Sequence, residues 1–448
     1  MSNPLSKIPQ LEKLLSHSLL SESIVKIGRP VVSEIASAYL DDVRNAFKKN
    51  IDAFEPPTIL ECAEAVQKKC EKTVRKRITN VINATGIVLH TNMGRSPLPE
   101  HVWESAGKAA SGYSTIEMSL ADGKRGKRFE FLTKCMSLIT GAEESLMVNN
   151  NAAAVFLMLK AHAENREVIV ARGQQVQIGG GFRIPEILKA AGCKLVEVGT
   201  TNITTTDDIL NAITENTAMV LWVHTSNYRI RGFTKEPAVR EIKSVLPEDI
   251  ILAVDQGSGN INLNIPDEPT VSSLVKEGAD MVCFSGDKIL GGPQAGWIVG
   301  KGEYITKIAK HQLMRTYRVG RAVASLMEAC LVHYLNNGES VAGKALHCNL
   351  DKIKNRCENI VNALPENKAS VEKHSFSLGG GSTPDTSFPS WAVKLNTHKL
   401  ADKIKTDLRN LTPPIIAVVE DSAVFLNLTT VDEKDDAYLK VSINEVLK

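Results

Sequence analysis

The segment Phe284-Ser285-Gly286-Asp287-Lys288-Ile289-Leu290-Gly291-Gly292-Pro293 sets a lysine in a turn of small residues directly behind the apolar run MVCF. Such a run reads as a buried strand, and α/β folds bind ligands at the carboxyl ends of their strands. The glycines let backbone pass close to a ligand. Alone, Lys288 would read as a surface lysine in a glycine-rich turn. Its surroundings change that reading.

Upstream, the apolar run IILAV ends in Asp255, just before a Gly-Ser-Gly turn, and AMVLWV ends in His224. SLMV ends in Asn149-Asn150-Asn151, which open an alanine-rich helical stretch. A helix start of that kind offers free amides to a phosphate. Lysine forms Schiff bases with aldehydes, and a carboxylate can pair with a protonated pyridine nitrogen. The Ser285 hydroxyl can reach a phosphate. Lys288, Asp255, His224, Ser285, Asn150 and Asn151 together point to pyridoxal 5′-phosphate (PLP), with Lys288 as the catalytic lysine. Each has a plainer reading by itself: a turn-forming Asp before Gly, an Asn helix cap, a structural histidine. The combination favours the cofactor.

The wider pattern is α/β. Short β-branched runs (SLMVNN, EVIVAR, KLVEVGTT, AMVLWVHTS, IILAVDQGSG, MVCFSG, GWIVGK) alternate with helical stretches up to about residue 305. This predicts a largely parallel sheet covered on both faces. The expected fold is PLP-dependent fold type I, with an aspartate aminotransferase-like large domain over 79–320. Connecting helices and a small α+β C-terminal domain are expected over 321–448. Residues 1–78 read as a helical N-terminal module, closed by the basic residues Lys68, Lys69, Lys72, Arg75, Lys76 and Arg77. Alone, that run reads as a solvated helix face.

Bulk properties agree with a globular protein of more than one domain. The chain has 448 residues, 43% hydrophobic and 23% charged, with a net charge of +2, so composition does not mark a nucleic-acid binder. Eight scattered cysteines form no metal-ligand spacing, so they read as reduced and no metal is expected. The start MSNPLSKIPQLEKLL has no basic-then-apolar pattern, and no run is long enough for a membrane span. A cytoplasmic protein is expected.

The segments VINATGIVLHTNMGRSPL, VNNNAAAV, GGGFRIP, KLVEVGTTN, VHTSNYRIRGFTKE, DEPTV, FSGDKILGGPQAG and GGGSTPDTSFPSW resemble the bacterial selenocysteine synthases, the L-seryl-tRNA(Sec) selenium transferases. The resemblance covers nearly the whole chain. It implies conversion of seryl-tRNA(Sec) to selenocysteinyl-tRNA(Sec) through an aminoacrylyl intermediate, with selenophosphate as donor. It also implies that Arg95, Arg315 and Arg318 hold the phosphate-like donor, a task suited to the planar guanidinium. The N-terminal module would grip the tRNA, and the chain would assemble with itself, as a homodecamer of dimers.

The chain departs from the family pattern at several positions. Gln174 and Gln177 stand where the family has glutamates, Gly181 where it has serine, and Ile203 where it has a cation. Gln256 replaces a leucine, and Gly320-Arg321 replaces an Asp-Lys pair. The two amides remove possible proton acceptors near the cofactor. They leave open a second reading, a paralogous PLP-dependent lyase or β-replacement enzyme acting on a small amino acid. A third, a tRNA-binding or assembly protein without turnover, fits poorly with Asp255, Ser285 and Lys288.

Overall fold

The computed structural model describes residues 8–49, 54–383, 385–396 and 399–448. The first residues read for a leader, Pro384 of the GGGSTPDTSFPSW stretch, and Thr397-His398 before the tail helix lie outside the described residues. The chain divides into two compact units, Met1–Val81 and Ile82–Lys448.

Seven strands form the main sheet of the larger unit: β1 (Glu144–Val148), β2 (Glu167–Ala171), β3 (Lys194–Val198), β4 (Thr217–Val223), β5 (Ile251–Gly257), β6 (Met281–Ser285) and β7 (Gly296–Gly300). They lie in the order β1-β7-β6-β5-β4-β2-β3. Neighbours from β3 to β6 are parallel, and β7 runs antiparallel to both β6 and β1. Successive side chains on a strand face opposite sides. In β5, Leu252 and Val254 enter one core, while Ile251 and Ala253 enter the other. In β6, Val282 and Phe284 divide from Met281 and Cys283 in the same way. Burial on both faces is why these strands read as unbroken apolar runs rather than alternating ones.

The helix Asn151–Ala163 follows β1 and is buried on most sides through Ala154, Val155, Leu157, Met158 and Leu159. Its packing fixes where its N-terminus points. A second, five-stranded sheet joins Ala369–Phe376, Phe388–Leu395, Ile415–Glu420 and Ala423–Asn427 to the strand Ile82–Ala84. Ile82–Ala84 pairs in parallel with Ile415–Glu420. This differs from the division expected at residue 79, since that strand belongs to the C-terminal sheet. A three-residue strand carries too little pattern to show its partner.

The smaller unit is helical, with Ser18–Ile27, Arg29–Lys49 and Ile59–Val74 closing on Leu14, Leu20, Leu40, Val66 and Cys70. Thr58 opens its last helix with a capping box to Glu61. Lys68, Lys69, Lys72, Arg75, Lys76 and Arg77 lie at the end of this unit. Lys69 reaches Asp42 at 3.3 Å and lies over the Tyr39 ring, and Arg77 donates to the Lys26 carbonyl.

Candidate active site

The sheet's carboxyl edge gathers the polar residues. Behind β6 the chain folds back on itself, with Gly286 N–H donating to the Ala295 carbonyl and Gly292 N–H to the Gly286 carbonyl. Ile289 N–H ties this turn to the Ser258 carbonyl at 3.1 Å. The approach of the two loops requires glycine at 259. Its φ is +72°, and a Cβ there would sit 2.2 Å from the Ser285 carbonyl oxygen. Lys288 and Ser285 are buried as a result.

Burial lowers the pKa of the Lys288 amine, and the nearby Arg95 charge lowers it further, while Asp255, Asp287 and Glu268 oppose the shift. Favouring the neutral amine suits a nucleophile. Asp255 lies on β5 where the register with β6 slips between Asp255 and Gly257. Its carboxyl is fully buried, which raises its pKa. A hydrogen bond from Asn151 Nδ2 to Asp255 Oδ1, at 2.8 Å, and the proximity of Lys288 oppose that rise. Cys283 Sγ approaches the same oxygen at 3.7 Å.

Asn150 is spent partly on its helix: Oδ1 accepts from Ala153 N–H at 2.8 Å, an ordinary N-cap. Asn151 Oδ1 is buried with no hydrogen-bond partner among the described residues. His224 follows β4, and its backbone N–H donates to the Asp255 carbonyl at 2.9 Å. Its ring stacks on Trp222 with centroids 6.0 Å apart, and Nε2 lies 2.9 Å from Glu268 Oε2. Glu268 Oε1 accepts from Gln256 Nε2 at 2.9 Å and from Ser258 Oγ. The sequence reading gave Glu268 no role, although it lies in the quoted DEPTV stretch. Only its fold-back onto His224 distinguishes it from a surface carboxylate.

A cavity of about 640 Å³ opens beside these residues, lined by His224, Glu268, Gln174, Glu236 and Thr383 among others. Gln174 is buried, accepting from Val223 N–H at 3.0 Å and donating to Glu236 Oε1. Glu236 faces the cavity; crowding by surrounding protein raises its pKa, and the Gln174 hydrogen bond opposes that. Gln177 is placed otherwise. It is exposed on a short hairpin and accepts from Arg183 Nε at 2.8 Å. Of the two amide positions read as lying near the cofactor, only Gln174 reaches the cavity. Ile203 is exposed and bridges to Lys235.

Arg95 lines a second cavity, of about 410 Å³, with Ser96, Asp287 and Gln294. Its Nη1 lies 2.6 Å from Asp287 Oδ2, while Nε and the Ser96 hydroxyl are buried without partners among the described residues. Asp287 thus links this cavity to the adjoining Lys288. Arg315 and Arg318 line neither of these cavities. Arg318 lies 3.7 Å from Glu117, which also binds Arg125 and Arg128.

The residues present fit PLP. A buried lysine is held toward its neutral form, and a buried carboxyl has no arginine or histidine ion pair among the described residues. A helix N-terminus and the unpartnered Asn151 carbonyl complete the arrangement. Among the described residues no cluster suits a metal ion.

Comparisons with known proteins find relatives along nearly the whole chain. The family model for L-seryl-tRNA selenium transferase matches residues 81–432. An L-seryl-tRNA(Sec) selenium transferase of Carboxydothermus hydrogenoformans is 36% identical over 449 residues, covering 97% of this chain and 96% of the relative. One of Clostridium perfringens is 39% identical over 460 residues, covering 99% and 98%. Among solved structures, D-glucosaminate-6-phosphate ammonia-lyase superposes with a TM-score of 0.59 at 20% identity, covering 83% of this chain and 96% of that one. The fold is the type I architecture of PLP enzymes.

Proposed function

Because the chain belongs to the L-seryl-tRNA selenium transferase family, we propose that it converts seryl-tRNA(Sec) to selenocysteinyl-tRNA(Sec), with selenophosphate as the selenium donor. The observation that carries this reading within the site is Lys288, buried beside Asp255 and Arg95 with its amine pushed toward neutrality. Lys288, Asp255, Ser285, His224, Asn150 and Asn151 would hold PLP, which would supply a sink for the electron pair that develops at the seryl α-carbon.

The chain's own residues do the rest. Asn151 Nδ2 holds the Asp255 carboxyl through a hydrogen bond at 2.8 Å, and that carboxyl would pair with the pyridine nitrogen of the bound cofactor. Glu268 holds the His224 ring through Nε2. Lys288 Nζ is the group placed to move the α-proton once freed for that task. Arg95, steadied by Asp287, offers its guanidinium to the donor's phosphate oxygens. Arg315 and Arg318 line neither of the two cavities, so for them to meet the donor a second copy would have to deliver them. A homodecamer built from dimers is the assembly we infer. The basic run at the end of the helical module supports a contact with tRNA phosphates. No helix among the described residues is long and apolar enough to cross a membrane. A charged tRNA as substrate favours a cytoplasmic reaction.

The test is the cofactor's visible absorbance in the purified protein, mixed separately with seryl-tRNA(Sec), seryl-tRNA(Ser) and free L-serine. A shift confined to seryl-tRNA(Sec) supports the reading. A shift with free serine and none with tRNA replaces it with a small-molecule lyase.

A further inference from the structure

The glycine-rich loop 379–383 has no part in the chemistry above, yet it delivers a side chain to the larger cavity. Gly379, Gly380 and Gly381 have φ of +70°, +66° and +75°, and Thr383 has φ of +50°. A β-branched residue rarely adopts that conformation, so the surrounding structure must hold it there. Thr383 is 2% exposed, lines the cavity that holds His224 and Glu268, and its hydroxyl has no hydrogen-bond partner among the described residues. The indole N–H of Trp222, another lining residue, is likewise buried and unpartnered. A buried donor without an acceptor is costly, so the Thr383 hydroxyl calls for an acceptor supplied from outside.

The charges around the cavity say what kind of acceptor. Glu268 is buried beside it and Glu236 faces into it. Arg229, which also lines it, is already paired with Asp267 at 2.5 Å. That leaves Lys235, exposed at the rim, as the lining cation without an ion pair among the described residues. An anionic carboxylate entering here would meet Glu236 and Glu268, while the lining guanidinium of Arg229 is already taken by Asp267. An uncharged ester carbonyl meets no such repulsion and needs only neutral donors.

We propose that Thr383 is a specificity-determining residue: its hydroxyl donates to the uncharged carbonyl of an esterified seryl group. The cavity therefore takes an aminoacyl ester and disfavours the free amino acid. This rests on the reading of the chain as acting on a charged tRNA. Discrimination comes from like charge set against the wrong substrate as much as from attraction to the right one.

The test uses the full-length holoenzyme with Thr383→Val, which keeps the branched shape, and Thr383→Ser, which keeps the hydroxyl. Turnover of seryl-tRNA(Sec) is measured together with the affinity for free L-serine, read from the cofactor's absorbance. T383V is expected to lower kcat/KM on the ester by roughly 5- to 10-fold, the loss of one hydrogen bond, without weakening free serine. T383S is expected to restore it to within about twofold of the wild type. Because the hydroxyl has no partner among the described residues, the thermal midpoint of T383V is expected not to fall. The proposal is overturned if T383V turns over the ester like the wild type, if both substrates weaken alike, or if T383S is as impaired as T383V. A wild type that never turns over seryl-tRNA(Sec) overturns the proposed function, and this assignment with it.

Discussion

Replacing Gln174 with glutamate would set a carboxylate against Glu236. Gln174 now donates Nε2–H to Glu236 Oε1 and accepts from Val223 N–H at 3.0 Å, so glutamate keeps the second bond and loses the first. At about 4 Å, two like charges repel by ~1 kcal/mol in water-like surroundings and ~4 kcal/mol at an effective dielectric near 20. Gln174 is buried while Glu236 faces solvent in the cavity, so the cost falls between those limits, about 2 kcal/mol at neutral pH. Retaining one proton caps the penalty, because protonating an ordinary glutamate at neutral pH costs about 3–4 kcal/mol. The pair then shares that proton, and its folded-state pKa rises above the unfolded value. A raised carboxyl pKa means that the folded state binds more protons. The penalty in Q174E is thus absent below the unfolded glutamate range, grows as pH rises through it, and levels off above the raised folded value. Urea unfolding of the wild type, Q174E and Q177E between about pH 4 and pH 8 measures it as a difference from the wild type. Q177E, exposed and beside Arg183, is the control and is expected to stay within about 0.5 kcal/mol of the wild type. A Q174E difference that does not change with pH would refute the reasoning, since the carboxyl groups would not be in contact.

Lys288→Ala is expected to abolish the visible absorbance that a lysine-bound cofactor gives; a band that persists would move the attachment site elsewhere. Neutralising Lys68, Lys72 and Lys76 together is expected to weaken tRNA binding and to flatten its salt dependence, by about one unit of slope for each phosphate no longer neutralised. Lys69 is best left intact, because it pairs with Asp42 and covers Tyr39. Unchanged binding would return the basic run to an ordinary solvated helix face.

The central sheet was legible because its strands are buried on both faces and each therefore appears as an apolar run. Polar residues that end such runs, Asp255 and His224 among them, stand out by contrast, as does a lysine in a glycine-rich turn. These are local signals, carried by a few adjacent residues, and the sequence alone determined them. Pairings between distant segments leave no such mark. Glu268 folding back onto His224, Gln174 meeting Glu236 and Arg318 reaching Glu117 each join residues whose neighbours in sequence say nothing of the partner. Gln174 and Gln177 look alike as letters three positions apart, yet one is buried at the cavity and the other is outside on a hairpin. The strand Ile82–Ala84 was too short to announce its sheet, and only its pairing with Ile415–Glu420 assigned it. The strained turn that sets Thr383 in the cavity depends on packing against the rest of the fold, so only the tertiary structure placed its hydroxyl there.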